Sequence, residues 1–247
     1  MFILGALVVT TITAGRGSRL ASGAMTFTQG TVDANGVTFA YLAAGDEDAP
    51  LALCLHGFPD CAHTWRHLLP LLAEAGYRAV APWLRGYAPS SVPNDAEYQS
   101  AVVGTDAVAL HRALSAPGAG PGVLVGHDWG ALASYAAVAH PDAAWRRLVT
   151  MAVPPTSVVA ESFCSSDQLQ RSWYRFFFQH PLAEMAVALD DLVFIERLWA
   201  DWSPGYDASA DLPAVKDALR DPANLAAALG YYRATLGGVG LSADPAV

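Results

Sequence analysis

The sequence predicts an α/β fold with a mostly parallel sheet, on three observations. From Met25 onward, short apolar runs of strand length alternate with longer helix-forming stretches. Breaks rich in Gly and Pro, such as "APGAGPG" at 116–122, separate them. Beyond Pro154-Pro155 the rhythm changes to aromatic-rich helical stretches with no clear strand. With 247 residues, 53% of them hydrophobic, the chain can close one large core, with or without an inserted cap.

The elements follow in order. Residues 1–24, opening "MFILGALVVTTITA", carry no charge before Arg16 and break at "GRGSR". They lack the basic start of a secretory signal and the ~20 apolar residues of a spanning helix, so they read as an upstream extension outside the fold; an atypical export signal is the alternative. Residues 25–154 read as the core. Its first piece, 25–45, holds two strands joined by a turn at Ala34-Asn35-Gly36. "LALCL" at 51–55 is a continuous apolar strand, and Asp60 can cap a helix from Cys61 to Ala75. A strand at 77–82, a helix around 101–114, the strand "VLVG" and a following helix lead to a sixth strand at 146–153. Residues 155–235 read as a helical cap, or lid, over the strand ends, with "DLPAVKDALRDP" as a solvated helix face. Residues 236–247 read as the start of a further core segment.

Charge narrows the function classes. Fourteen Lys and Arg, of which only Lys216 is a lysine, stand against 23 Asp and Glu, for a net charge of −9. There is no basic stripe, so nucleic acid and anionic membrane surfaces are not expected partners. Cys54, Cys61 and Cys164 show no Cys-x-x-Cys spacing, which points to a reducing, cytoplasmic compartment, with Cys54 in the core. His63 and His67 have the i, i+4 spacing used by zinc enzymes, but no Glu or third ligand accompanies them. No metal and no cofactor are expected.

The chemistry centres on Gly126-His127-Asp128-Trp129-Gly130, between the "VLVG" strand and "ALASYAAVAH". A Gly-x-Ser-x-Gly in that setting is a nucleophile elbow, a sharp strand-to-helix turn that pushes one side chain out over the sheet. Here the central residue is Asp128, either a helix N-cap or a nucleophile, and the flanking glycines favour the nucleophile. His127 reads as its structural neighbour.

With His56-Gly57-Phe58-Pro59, "RGYAPS" at 85–90, and the tyrosines of "RSWYRFFFQ" and "GYYRA", the chain resembles the α/β-hydrolases, and among them the epoxide hydrolases. The resemblance covers 25 to about 235. It implies an α/β-hydrolase fold with a helical lid, a small apolar epoxide and water as substrates, and backbone oxyanion donors at Phe58 and Trp129. The rings of these two residues, with His56 and Pro59, would line the pocket; His56 would shape the loop rather than move protons. Matching the lid motifs selects Tyr174 and Tyr232 as proton donors, with Tyr231 the adjacent alternative. The chemistry agrees. A serine attacking an epoxide carbon would leave an ether, whereas an aspartate leaves an ester that water can cleave. A haloalkane dehalogenase and a non-catalytic ligand-binding homologue are the alternatives, and Phe58 stands where dehalogenases often place an Asn. The family's acid and histidine follow later strands, yet no histidine follows His180, and Asp244 has no assigned role. The general base is therefore expected to be absent, the final strands and helices to be missing, and the sixth strand to be an exposed parallel edge.

Overall fold

A computed structural model describes residues 27–155, 158 and 165–237. The expectations attached to residues 1–24, to Cys164 and to 238–247, Asp244 included, lie outside the described residues.

The chain opens with a hairpin of β1 (Thr28–Ala34) and β2 (Val37–Ala44). Asn35 and Gly36 form its turn with φ of 45° and 75°. Positive φ at both positions matches the twist of a two-residue hairpin, which Asn-Gly adopts readily. β3 (Leu51–Leu55) and β4 (Arg78–Pro82) follow, then α2 (Ser100–Leu114), β5 (Gly122–His127), α3 (Trp129–Ala139) and β6 (Trp145–Met151). Between β3 and β4 lies α1 (Leu68–Glu74).

The sheet order is β1-β2-β4-β3-β5-β6, and β4, β3, β5 and β6 run parallel, as expected. β3 is central and every residue in it is at most 1% exposed, the burial that an unbroken apolar run requires when both sheet faces are covered. Among the described residues β6 is an edge, with Leu148 and Val149 at 36% and 47% exposure.

The continuous helix expected from Cys61 to Ala75 is not formed. Ala62–His67 is a 3-10 turn, and α-geometry begins only at Leu68. Pro70 explains the delay: without an N–H, it cannot complete the bond to the carbonyl four residues back, and its ring crowds that carbonyl. Asp60 does not cap a helix; its Oδ1 accepts from the adjacent Cys61 N–H at 2.8 Å.

After β6 come α4 (Ser166–Arg171), α5 (Trp173–Phe177), α6 (Ala183–Trp202), α7 (Leu212–Leu219) and α8 (Pro222–Gly237). α6 is broken at Leu189–Leu192, where Asp190, Asp191 and Leu192 have φ of 49°, 53° and 62°. The Asp191 carboxylate in this break faces Lys216 at 3.3 Å and Arg220 at 2.9 Å. α7 is thus more than a solvated face, since Val215, Lys216, Ala218 and Leu219 are buried. Among the described residues no helix is long and apolar enough to cross a membrane.

Candidate active site

The site forms where β3 and β5 end. β5 passes into α3 through Asp128 alone, at φ 55° and ψ −114°. A non-glycine residue in this region is strained, by roughly 1–3 kcal/mol, and persists only where its surroundings over-determine it. Its N–H donates to the Met151 carbonyl at 3.2 Å, and its carbonyl accepts from Ala131 at 3.0 Å and Leu132 at 3.2 Å. Gly130 lets the turn close, because a Cβ there would lie 2.1 Å from the Leu55 oxygen.

With its backbone satisfied, Asp128 directs its side chain away from α3. It makes no side-chain cap bond to that helix. Instead Oδ1 accepts the Phe58 N–H at 2.8 Å, across seventy residues of chain. The close approach needs Gly57, whose Cβ would stand 2.3 Å from the Asp128 Cβ and 2.4 Å from Oδ1. Burial raises the Asp128 carboxyl above the usual carboxylate range; His127, the Phe58 and Trp129 N–H groups and Arg175 pull it back down.

The loop from His56 to Asp60 is wholly buried. His56 Nδ1 donates to the Gly57 carbonyl at 2.9 Å, and Nε2 accepts the Leu84 N–H at 3.0 Å. The second bond fixes the tautomer, and burial pushes the imidazole down to about 4, so the ring stays neutral and both nitrogens are committed. Asp60 was not singled out from the sequence beyond a capping role. Its Oδ2 is buried without a partner, and burial, followed by the fields of Asp211 and Asp128, pushes the acid up to about 7 against the Cys61 N–H and Thr64.

A stability prediction follows for Asp60. The folded chain holds this proton more tightly than the unfolded chain does. Its burial is therefore harmless below pH 4 and weakens the fold progressively as pH rises toward about 7. Asp60→Asn keeps the oxygen that accepts from Cys61. Thermal melts should match wild type near pH 4 and show the variant more stable by about 2 kcal/mol at pH 8. Equal stability at pH 8 would refute the assignment.

Above the carboxylate lies an aromatic layer. Tyr232 meets Trp129 at 4.9 Å, Phe178 at 5.0 Å and Phe58 at 5.4 Å between ring centroids. Tyr174 stands 5.6 Å from Tyr232 and 4.8 Å from Trp202. Burial, and then the Asp128 charge for Tyr174 or the Tyr174 and Asp128 charges for Tyr232, raises both phenols, so both stay protonated at neutral pH. The Tyr232 hydroxyl has no hydrogen bond of normal geometry; Tyr174 and Trp129 reach it only loosely. Tyr231 is separated from this role by its own bond, since its hydroxyl donates to the Arg85 carbonyl at 2.9 Å. Pro59 is buried in the loop, and its carbonyl accepts from Trp199 Nε1 at 2.7 Å. Phe178, Trp199 and Trp202 were not separable from ordinary core aromatics in the sequence.

The structure thus brings together Asp128, Phe58, Trp129, Tyr174 and Tyr232, with His56 and Pro59 forming the loop beneath. Among the described residues no group of His, Cys, Asp and Glu could hold a metal ion. His63 packs edge-on against Trp83 at 5.5 Å. A buried carboxylate steered by an N–H, facing two protonated phenols in an apolar layer, is suited to attack on an apolar electrophile that needs a proton as its bond breaks.

Residues 50–189, more than half of the chain, match the model of the alpha/beta hydrolase fold family. The chain belongs to this family. This α/β hydrolase is 35% identical over 212 residues to epoxide hydrolase A of Mycobacterium tuberculosis, covering 81% of this chain and 65% of that one. It is 34% identical over 218 residues to epoxide hydrolase 3 of Xenopus tropicalis, covering 82% and 57%. The chain therefore spans less than two thirds of the length of either relative. The crystal structure of the Bacillus megaterium epoxide hydrolase in complex with an inhibitor superposes with a TM-score of 0.72 at 29% identity, over 83% of this chain and 71% of that one. Within its family this α/β hydrolase is epoxide hydrolase-like in sequence and fold.

Proposed function

We propose that this α/β hydrolase opens a small apolar epoxide through an ester on Asp128. The Asp128 carboxylate attacks one ring carbon as the ring C–O bond breaks. The departing alkoxide takes a proton from Tyr174 or Tyr232. Alkylation is the step these residues carry by themselves; cleavage of the ester needs a base to take a proton from the attacking water, a role that none of these residues fills. Ester hydrolysis gives the diol and the regenerated carboxylate, and the proton it releases restores the tyrosine. The Phe58 and Trp129 N–H groups receive the oxyanion of that second step; such a donor is worth around 3 kcal/mol in the transition state. The helices after β6 act as a lid that keeps water from the nucleophile before the substrate binds. The buried thiols of Cys54 and Cys61 fit a cytoplasmic enzyme.

The observation that carries this reading is the Asp128 side chain itself: it leaves the helix it should cap and points from a strained turn toward the Phe58 N–H. The phenols favour an epoxide over an alkyl halide, because a leaving halide needs no proton. Incubation with styrene oxide, and separately with a 1-haloalkane, followed by intact-protein mass measurement tests this. Adduct from the epoxide supports it. Adduct and halide release from the haloalkane alone would favour dehalogenation, and reversible binding without any adduct would indicate a non-catalytic pocket.

A further inference from the structure

We infer that Trp199 is a positioning residue whose indole N–H ties α6 to the oxyanion loop, so that the Phe58 N–H is set against Asp128 only while α6 is seated. The consequence for catalysis rests on the function proposed above; the structural tie does not.

The bond is direct and buried: Trp199 is 4% exposed and its Nε1 donates to the Pro59 carbonyl at 2.7 Å, 140 residues away in sequence. Pro59 immediately follows the donor Phe58 and has no N–H of its own, so the polar ties of this residue run through its carbonyl. The other ties of the loop come from the core side. His56 is held by the Leu84 N–H, and Asp60 by the adjacent Cys61 N–H. From the helical side the Phe58 ring meets Phe178 and Tyr232, both at 5.4 Å, but apolar contacts between rings permit sliding where a hydrogen bond does not.

Trp199 is itself held in place. Its ring lies 6.2 Å from that of Tyr206, whose hydroxyl donates to Asp211 at 2.8 Å. Asp211 is paired with Arg66, on the 3-10 turn that follows the loop. The path from Pro59 through Trp199, Tyr206, Asp211 and Arg66 therefore returns to the chain just after the loop it started from. A helix displaced from the site breaks this circuit at the Trp199 bond and leaves a buried carbonyl without a donor beside the oxyanion N–H. Seating of the helix and formation of the donor become one event.

Trp199→Phe removes the donor and keeps an aromatic ring in the cavity. Hydrogen exchange resolved to the Phe58 amide, read beside the β3 and β5 amides, is the direct test. The Phe58 amide should exchange about tenfold faster in the variant while the strands are unchanged, and the maximal rate of Asp128 alkylation by styrene oxide should fall about tenfold with the half-saturating concentration within about twofold. Trp173→Phe, which trims an exposed ring of the same helical segment without touching this bond, should leave Phe58 exchange at the wild-type rate. Unchanged Phe58 exchange in Trp199→Phe, or an equal rise in Trp173→Phe, overturns the inference. Absence of any adduct in the wild-type protein counts against the proposed function instead, and the exchange measurement still decides the tie.

Discussion

Asp128→Asn abolishes the covalent adduct with an epoxide, a loss of about 10⁴-fold or more in the alkylation rate, as expected when the nucleophile of a two-step reaction is removed. The substitution is nearly isosteric, and the remaining carbonyl oxygen can still accept the Phe58 N–H, so the fold survives. Stability should move in the opposite direction from activity. Burial raises the Asp128 carboxyl, so the folded state is penalised for the charge as pH rises above the usual carboxylate range. The variant should then melt a few degrees higher than wild type at pH 8, with the gap closing on acidification. Loss of adduct together with a lower melting temperature would show that the carboxylate is structural.

The second large effect concerns the phenols. Tyr174→Phe or Tyr232→Phe alone should slow alkylation of Asp128 about ten- to a hundredfold, because the remaining hydroxyl still reaches the same alkoxide. The double variant should lose about 10³-fold or more, the range of a general acid. Since both phenols are pushed above their ordinary value, alkylation should show no alkaline fall below about pH 9. It should fall instead on the acid side, as Asp128 protonates. Tyr232→Phe also removes a buried hydroxyl that lacks a well-formed bond, and should raise stability by about 1 kcal/mol in thermal melts. Stopped-flow alkylation kinetics across pH check the first part. A double variant as fast as either single one would mean that the phenols give no proton.

Much of this site can be read from local pattern. Asn35-Gly36 specifies a hairpin because few residue pairs accept positive φ twice in succession, and the structure has that turn. "LALCL" reads as a central strand because nothing in it tolerates water. Gly-His-Asp-Trp-Gly reads as an elbow because a strand that turns sharply into a helix needs small neighbours, and Gly130 has no room for a Cβ.

What escaped the sequence depends on partners distant in the chain. The Pro70 delay was visible in principle but was outweighed by the helical run around it. The break at Leu189–Leu192 follows no Gly or Pro and coincides with Asp191 meeting Lys216 and Arg220 of α7 and its C-terminus. Tyr231 and Tyr232 are adjacent and chemically identical; only the Arg85 carbonyl, beyond the reach of local pattern, separates them. Asp60 reads as an ordinary cap because nothing near it in sequence signals its burial, and the sequence singles out nothing at Trp199, whose use lies in one N–H.

The claim at the centre of this account is that a carboxylate on a strained turn bonds covalently to an epoxide carbon. The most direct measurement is a single turnover with styrene oxide in H2¹⁸O, followed by peptide mass mapping. The account predicts an alkyl ester on the Asp128 peptide at early times, and ¹⁸O in the Asp128 carboxyl of any protein that has released diol. Diol formed with neither ester nor isotope at Asp128 would mean that water opens the ring directly, and would contradict the account.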